Sequence, residues 1–231
     1  MKTIGLLGGM SWESTVPYYR IINEEVRQRL GGLHSATIIL HSVDFQPIEE
    51  LQHAGKWDET GHILARAAQS LEAAGADCVV LCTNTMHKVA ECIGGSVNIP
   101  FLHIADATGA AVTSAGLGTM ALLGTKFTME QDFYRGWLQS NYQLNVLIPS
   151  ESDRNTIHRV IYDELCLGKL VDESRDSFRG IIERLVQDGA EGVILGCTEI
   201  AMLVGPNDSA VPLFDTADLH ARYAAEWALG G

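Results

Sequence analysis

The chain has 231 residues and a formal net charge of −13. That excess of negative charge excludes broad nucleic-acid binding, which needs a basic face. No apolar run approaches the roughly 20 residues of a membrane span, and the apolar start, Ile4 to Gly9, is too short for a signal peptide. Cysteines stand at 78, 82, 92, 166 and 197 with no CxxC pair. This pattern speaks against a disulfide framework and against zinc-type ligand spacing. The expectation is a cytoplasmic protein without a bound metal.

In chain order, residues 3–7 read as a first strand, and Gly8-Gly9-Met10-Ser11 as a tight turn into a helix from Trp12 to Leu30. Tyr18, Ile21, Ile22 and Val26 give that helix its buried stripe. Pro17 falls in its early part, where a missing N–H costs little, and Gly31-Gly32 end it. Residues 37–40 are a second strand. Ile63, Ala67 and Leu71 repeat at helical spacing between Asp58 and Ala74, and residues 78–82 are a third strand. A short helix is expected from His87 to Cys92, a fourth strand over 99–102, and a small-residue helix to Ser114 capped by Asp106.

The pattern then starts again. Met120 to Thr125 is a strand, a helix runs through Phe133, Tyr134 and Trp137, and residues 145–148 are a strand. Residues 154–166 and a segment carrying Phe178, Ile181, Ile182 and Leu185 read as helices. Residues 193–197 and 211–214 close the strand set, and a helix follows near 216–228. The landmarks of the two halves recur in the same order with offsets drifting only from 116 to 112. This is a diverged internal duplication. Two repeats are too few for a solenoid. Alternating strands and helices imply parallel sheets with right-handed crossovers. The expected fold is therefore α/β, with two similar parallel-sheet lobes related by pseudo-twofold symmetry. The expected lobes are residues 1–105, with a terminal helix 216–231 packing on them, and residues 106–215. Ligands bind beyond the carboxyl ends of such strands, so the site is expected in the cleft between the lobes.

Those carboxyl ends carry the polar residues. Val79-Val80-Leu81-Cys82-Thr83-Asn84-Thr85 is echoed by Val193-Ile194-Leu195-Gly196-Cys197-Thr198-Glu199, 114 positions on. The echo pairs Thr83 with Cys197. Two proton-handling groups on opposite faces of one carbon suit inversion of a stereocentre. A cysteine fits that role when a helix N-terminus or a cation lowers its pKa, and Cys197 is expected to precede a helix over 199–204. On the residues alone, a strand-end cysteine is also ordinary buried filler and a threonine an ordinary cap. Asn84-Thr85 and Thr198-Glu199 read either as carboxylate cradles or as N-caps. Neither first loop has the glycine spacing of a nucleotide-binding motif. His87 and His103 lack counterparts in the other half and read as structural or supporting residues.

Taken together, the two strand ends, the Leu6–Thr15 stretch and the Leu122–Met129 stretch resemble the aspartate/glutamate racemase family over essentially the whole chain. The likeness is greatest to its L-aspartate/glutamate-specific, broad-specificity branch. The resemblance implies a cofactor-independent racemase of acidic L-amino acids, without pyridoxal phosphate, in which two cysteines act as bases. It also implies a small-molecule amino-acid substrate and a homodimer. The implied pocket comprises Met10, Thr83, Asn84, Thr85, Thr128, Cys197, Thr198 and Glu199. In it, the Asn84-Thr85 pair and Thr198 hold the α-carboxylate and ammonium.

Two positions depart from the family. Thr83 replaces the first cysteine, and the adjacent Cys82 points to the other face of its strand. The site should therefore treat its two enantiomers unequally, with Cys197 serving the L-isomer. Cys166 stands where some aspartate racemases carry a lysine, which leaves Gln46 and Lys169 as candidates for the distal carboxylate. The scaffold also resembles maleate isomerases and arylmalonate decarboxylases, where one cysteine suffices. A non-catalytic amino-acid-binding protein is the third reading.

Overall fold

Two short, wholly apolar runs sit at the centre of each half of the chain, and each becomes an inner strand of a parallel sheet. The computed structural model describes residues 1–230; Gly231, the last residue of the expected terminal helix, lies outside the described residues. The elements of the first half are β1 (Ile4–Gly8), α1 (Trp12–Leu30), β2 (Ile38–Ser42), α2 (Phe45–His53), α3 (Trp57–Ala73), β3 (Cys78–Leu81), α4 (Ala90–Gly94), β4 (Phe101–Leu102) and α5 (Ile104–Ser114). Then come β5 (Thr119–Gly124), α6 (Lys126–Glu130), α7 (Asp132–Tyr142), β6 (Asn145–Leu147), α8 (Glu151–Asp163), α9 (Asp172–Gln187), β7 (Gly192–Gly196), α10 (Ile200–Leu203), β8 (Leu213–Asp215) and α11 (Thr216–Leu229). The contacts divide the chain into two compact units. One holds Met1–Ile104 with the residues from His220 onward, and the other holds Ala105–Leu219.

Each unit contains a four-stranded, all-parallel sheet. The orders are β2-β1-β3-β4 and β6-β5-β7-β8, so the duplication preserved topology strand for strand. The inner strands β1, β3 and β7 are buried at every position, and β5 at every position after Thr119. Burial on both faces is why these strands read as continuous apolar runs rather than alternating ones. In the first unit, Leu64, Ala68 and Leu71 of α3 join Leu7, Val79 and Leu81 in one core. In the second, Phe178, Ile181 and Leu185 of α9 and Ile157 and Val160 of α8 are buried, and both helices pack on β5. Each such side chain contributes about 1.5–3 kcal/mol by leaving water. No described helix is long and apolar enough to cross a membrane.

Several local expectations change. Pro17 is the sixth residue of α1, beyond the turn whose N–H groups are spare, so it deprives the Glu13 carbonyl of an intrahelical donor. Asp106 does not cap α5, which starts at Ile104; its carboxylate accepts from Trp137 Nε1 (2.8 Å) and Tyr142 Oη (3.1 Å). The helix expected over 87–92 is a 3₁₀ turn, Thr85–Val89, followed by α4. The one expected over 154–166 begins at Glu151, where Ser150 Oγ accepts the Asp153 N–H, and ends at Asp163. The segment after β5 is two helices rather than one. Helix α2 has no counterpart among the expected elements.

Candidate active site

The ladders fix which residues of the two halves correspond. Leu7 lies beside Leu81 in the first sheet, and Leu123 beside Leu195 in the second. Two residues beyond these partners stand Thr83 and Cys197, each just past the carboxyl end of an inner strand. Both are nearly buried, each 7% exposed.

In the first unit, β1 and β3 end side by side. Gly8 cannot carry a side chain, since a Cβ there would lie 2.3 Å from Thr15 Cγ2. Gly9 has a φ of +95°, and a Cβ on it would lie 2.2 Å from the Val43 carbonyl oxygen. These two glycines let the loop fold back onto α1, where hydroxyls hold it. Gly9 N–H donates to Thr15 Oγ1 (2.9 Å), and Thr15 Oγ1 (3.0 Å) and Ser14 Oγ (2.9 Å) donate to the Ser11 carbonyl. Ser14 Oγ also reaches the Cys82 carbonyl at 3.4 Å, joining this loop to the end of β3. Met10, Asn84 and Thr85 are buried here with Thr83. Cys82 is completely buried; its Sγ points to the Val80 carbonyl at 3.7 Å, and burial pushes its thiol up. It is a core residue, while the neighbouring Thr83 keeps some exposure.

In the second unit, Thr125 Oγ1 caps α6 by accepting the Thr128 N–H (3.3 Å), with Thr128 Oγ1 3.2 Å away. Beside this loop, β7 ends in a polar cluster. Cys197 Sγ donates to Glu199 Oε2 at 3.0 Å, and Thr198 Oγ1 donates to the same oxygen at 2.8 Å. The other carboxylate oxygen faces Cys166 Sγ at 3.8 Å. Glu199 is 3% exposed. It is an acceptor gathering a hydroxyl and two thiols.

The electrostatics of Cys197 reverse the expectation from sequence. Burial first, and then the Glu199 charge, hold its thiol well above the usual range. The Glu199 N–H does lower it, as a helix N-terminus should, but α10 is only four residues long and the carboxylate outweighs one amide. The resting group is therefore a thiol bonded to a carboxylate, rather than a free thiolate.

The remaining candidates lie elsewhere. Gln46 is exposed at the start of α2, with its Nε2 donating to Glu50 Oε1 (3.0 Å). Lys169 is exposed after Gly168. Neither belongs to the buried strand-end sets. Sequence reasoning missed three contacts: the Cys197–Glu199 pair, Cys166 on the same carboxylate, and a hydrogen bond from His87 Nδ1 to the Thr83 carbonyl at 2.7 Å.

A family profile described as Asp/Glu/Hydantoin racemase matches residues 7–224. The chain is 52% identical to a putative Asp/Glu racemase from Yersinia pestis, over 99% of this chain and 100% of that one, with a TM-score of 0.92. It is 35% identical to an aspartate racemase homologue from Pyrococcus horikoshii OT3, over 99% and 100% of the two chains, with a TM-score of 0.84. Among curated proteins, the broad specificity amino-acid racemase RacX of Bacillus subtilis (strain 168) is 22% identical over 224 residues, 95% of each chain. Match to the profile over nearly the full length, together with two parallel sheets of identical strand order, makes the chain a member of the Asp/Glu/hydantoin racemase family.

Proposed function

We propose that the protein is a pyridoxal-phosphate-independent racemase of acidic L-amino acids in which Cys197 and Thr83 serve opposite faces of the substrate α-carbon. The observation that carries this reading is the shared register of Thr83 and Cys197 beyond β3 and β7. With an L-substrate bound, the Cys197 thiol proton passes to Glu199. The thiolate so formed takes the α-proton, and the electron pair spreads into the substrate carboxylate. Backbone N–H groups and the hydroxyls of Thr85 and Thr198 hold that carboxylate as charge develops on it. Thr83 delivers a proton to the opposite face and recovers one from water, while Glu199 gives up to water the proton it took from Cys197. Met10 and Thr128 shape the apolar and hydroxyl walls, and Asn84 orients the ammonium.

All five cysteines are in the thiol form, which supports a reducing, cytoplasmic setting. The exposed Trp12, Val16 and Tyr19 share one face of α1, which supports a homodimer; a monomer in sedimentation at micromolar concentration would count against it. The test of the activity is Cys197→Ala, assayed by chiral chromatography of L-aspartate and L-glutamate. Loss of a positioned acid–base group costs about 10²- to 10⁴-fold in rate. A Cys197→Ala protein as active as the wild type would remove the mechanism.

A further inference from the structure

Thr83 follows an unusual piece of backbone. In an α-helical turn its carbonyl would accept the N–H of residue 87. Here the turn is 3₁₀, and the His87 N–H goes to the Asn84 carbonyl at 3.0 Å. The Thr83 carbonyl is left over, and the imidazole of the same His87 takes it at 2.7 Å through Nδ1. The Thr83 N–H bonds the Leu81 carbonyl at 2.9 Å, so both backbone polar groups of Thr83 are fixed.

The ring itself is held in one state. His87 Nε2 accepts the Ile104 N–H at 3.2 Å, which makes Nδ1 the protonated nitrogen and the donor to Thr83. The ring is 3% exposed and packs edge-on against His103, with centroids 4.5 Å apart. Burial, and then the neighbouring His103 and His220, hold it well below the usual histidine range, so it stays neutral. The strand exit that supplies the Ile104 N–H is fixed from behind. His220 Nε2 donates to the Leu102 carbonyl at 2.8 Å, and its Nδ1 accepts from Tyr18 Oη at 2.9 Å. A continuous set of bonds therefore runs from Tyr18 through His220, the end of β4 and His87 to Thr83. In the second half, position 201, equivalent to 87, is alanine, and the reactive group there is bonded to a carboxylate instead.

We propose that His87 is the positioning residue for Thr83, holding its carbonyl so that the hydroxyl faces the substrate. A hydroxyl has no charge to draw it into place, so its contribution depends on orientation, and a displacement of about 1 Å costs on the order of 10²-fold. The inference rests on the assignment of Thr83 to the second proton transfer.

The test uses three variants of the whole protein. His87→Gln keeps an acceptor for the Ile104 N–H but loses the donor to Thr83. His87→Asn places an amide N–H where Nδ1 was and restores that donor. Thr83→Ala serves as the reference. Two rates are read in deuterated water: racemisation of L-glutamate, and α-proton exchange of L-glutamate with retention, which uses Cys197 and Glu199 but not Thr83. In His87→Gln, racemisation falls by about 10- to 100-fold, while exchange with retention stays within about twofold. His87→Asn recovers most of the lost racemisation. Wild-type racemisation in His87→Gln overturns the proposal, and so does an equal loss of racemisation and exchange in both His87 variants, which marks a purely structural role. Thr83→Ala racemising normally would instead overturn the role given to Thr83.

Discussion

Neutralising Glu199 separates two effects that act in opposite directions. Glu199→Gln keeps length and volume but exchanges an acceptor-only carboxylate for an amide. In the structure that carboxylate takes the Cys197 thiol at 3.0 Å and the Thr198 hydroxyl at 2.8 Å on one oxygen, with Cys166 at 3.8 Å from the other. Burial and then the carboxylate charge raise the Cys197 thiol. The substitution removes the second cause and leaves the first, so the thiol moves down toward its ordinary range without reaching it. The thiolate fraction at a given pH then rises, and Cys197 alkylates faster. Racemisation nonetheless falls, because the thiol has lost the group that accepts its proton. The expected loss is about 10²- to 10⁴-fold, equivalent to about 3–5 kcal/mol of barrier. The assay pairs chiral chromatography with iodoacetamide labelling across pH, reading the Cys197 peptide by mass spectrometry. Peptide resolution is needed because Cys92 is exposed and Cys166 half-buried. Racemisation within threefold of wild type, or a Cys197 labelling rate unchanged by the substitution, would refute the reasoning.

The buried histidines make stability depend on acid. Burial holds His220 down at about 3, and His87 lies well below its usual range, whereas both titrate near 6.5 once unfolded. The unfolded chain therefore binds more protons below pH 6.5. Stability should be full above that pH and fall toward pH 3 by up to about 1.4 kcal/mol per pH unit for each histidine; urea midpoints independent of pH between 6.5 and 4 would contradict this. Gly124→Ala would place a Cβ 2.7 Å from the Gly196 carbonyl oxygen, and backbone must shift just before Cys197. A loss of about 1–3 kcal/mol should come with lower racemisation per folded molecule, checked by urea unfolding and assay of the same preparation. Leu71→Ala, in the core under α3 and 1% exposed, should cost about 2–5 kcal/mol and leave the rate per folded molecule unchanged, which thermal melts and assays below the transition would show.

What could be read from sequence was what depends on pattern. The inner strands were legible because burial on both faces demands unbroken apolar runs such as Val79-Val80-Leu81 and Val193-Ile194-Leu195, and the duplication was legible because those runs recur with their glycine landmarks. Helix α2 was not legible, because only Ile48 and Gln52 among its nine residues are buried, too few for a helical period to show. The bond from His87 to Thr83 depends on one turn being 3₁₀ rather than α, and no residue type announces that. The partnership of Cys197 with Glu199 left no strand-type signal, because β7 ends at Gly196 and Glu199 lies in the turn that opens α10. The state of the thiol was equally hidden, because it follows from burial and from the Glu199 carboxylate turning back onto it.

The two halves share a strand order but load their matching positions differently, and thermodynamics limits what that difference can do. Enantiomers have equal free energy, so kcat/KM must be the same in both directions whatever the two groups are. Inequality can appear only in how kcat and KM share that ratio, and in where protons rest between turnovers. Cys197 has Glu199 to take its proton, so its half of the site can hold one negative charge across the thiol and the carboxylate. Thr83 has a hydroxyl, a far weaker acid than a thiol, and its backbone is bonded to a neutral histidine. It can release a proton only as another arrives. On the proposed roles, the resting protein therefore keeps Thr83 protonated and Cys197 a thiol bonded to Glu199, which takes the proton once the L-isomer is bound. That is the state ready for the L-isomer, and the D-isomer must wait for its less populated counterpart.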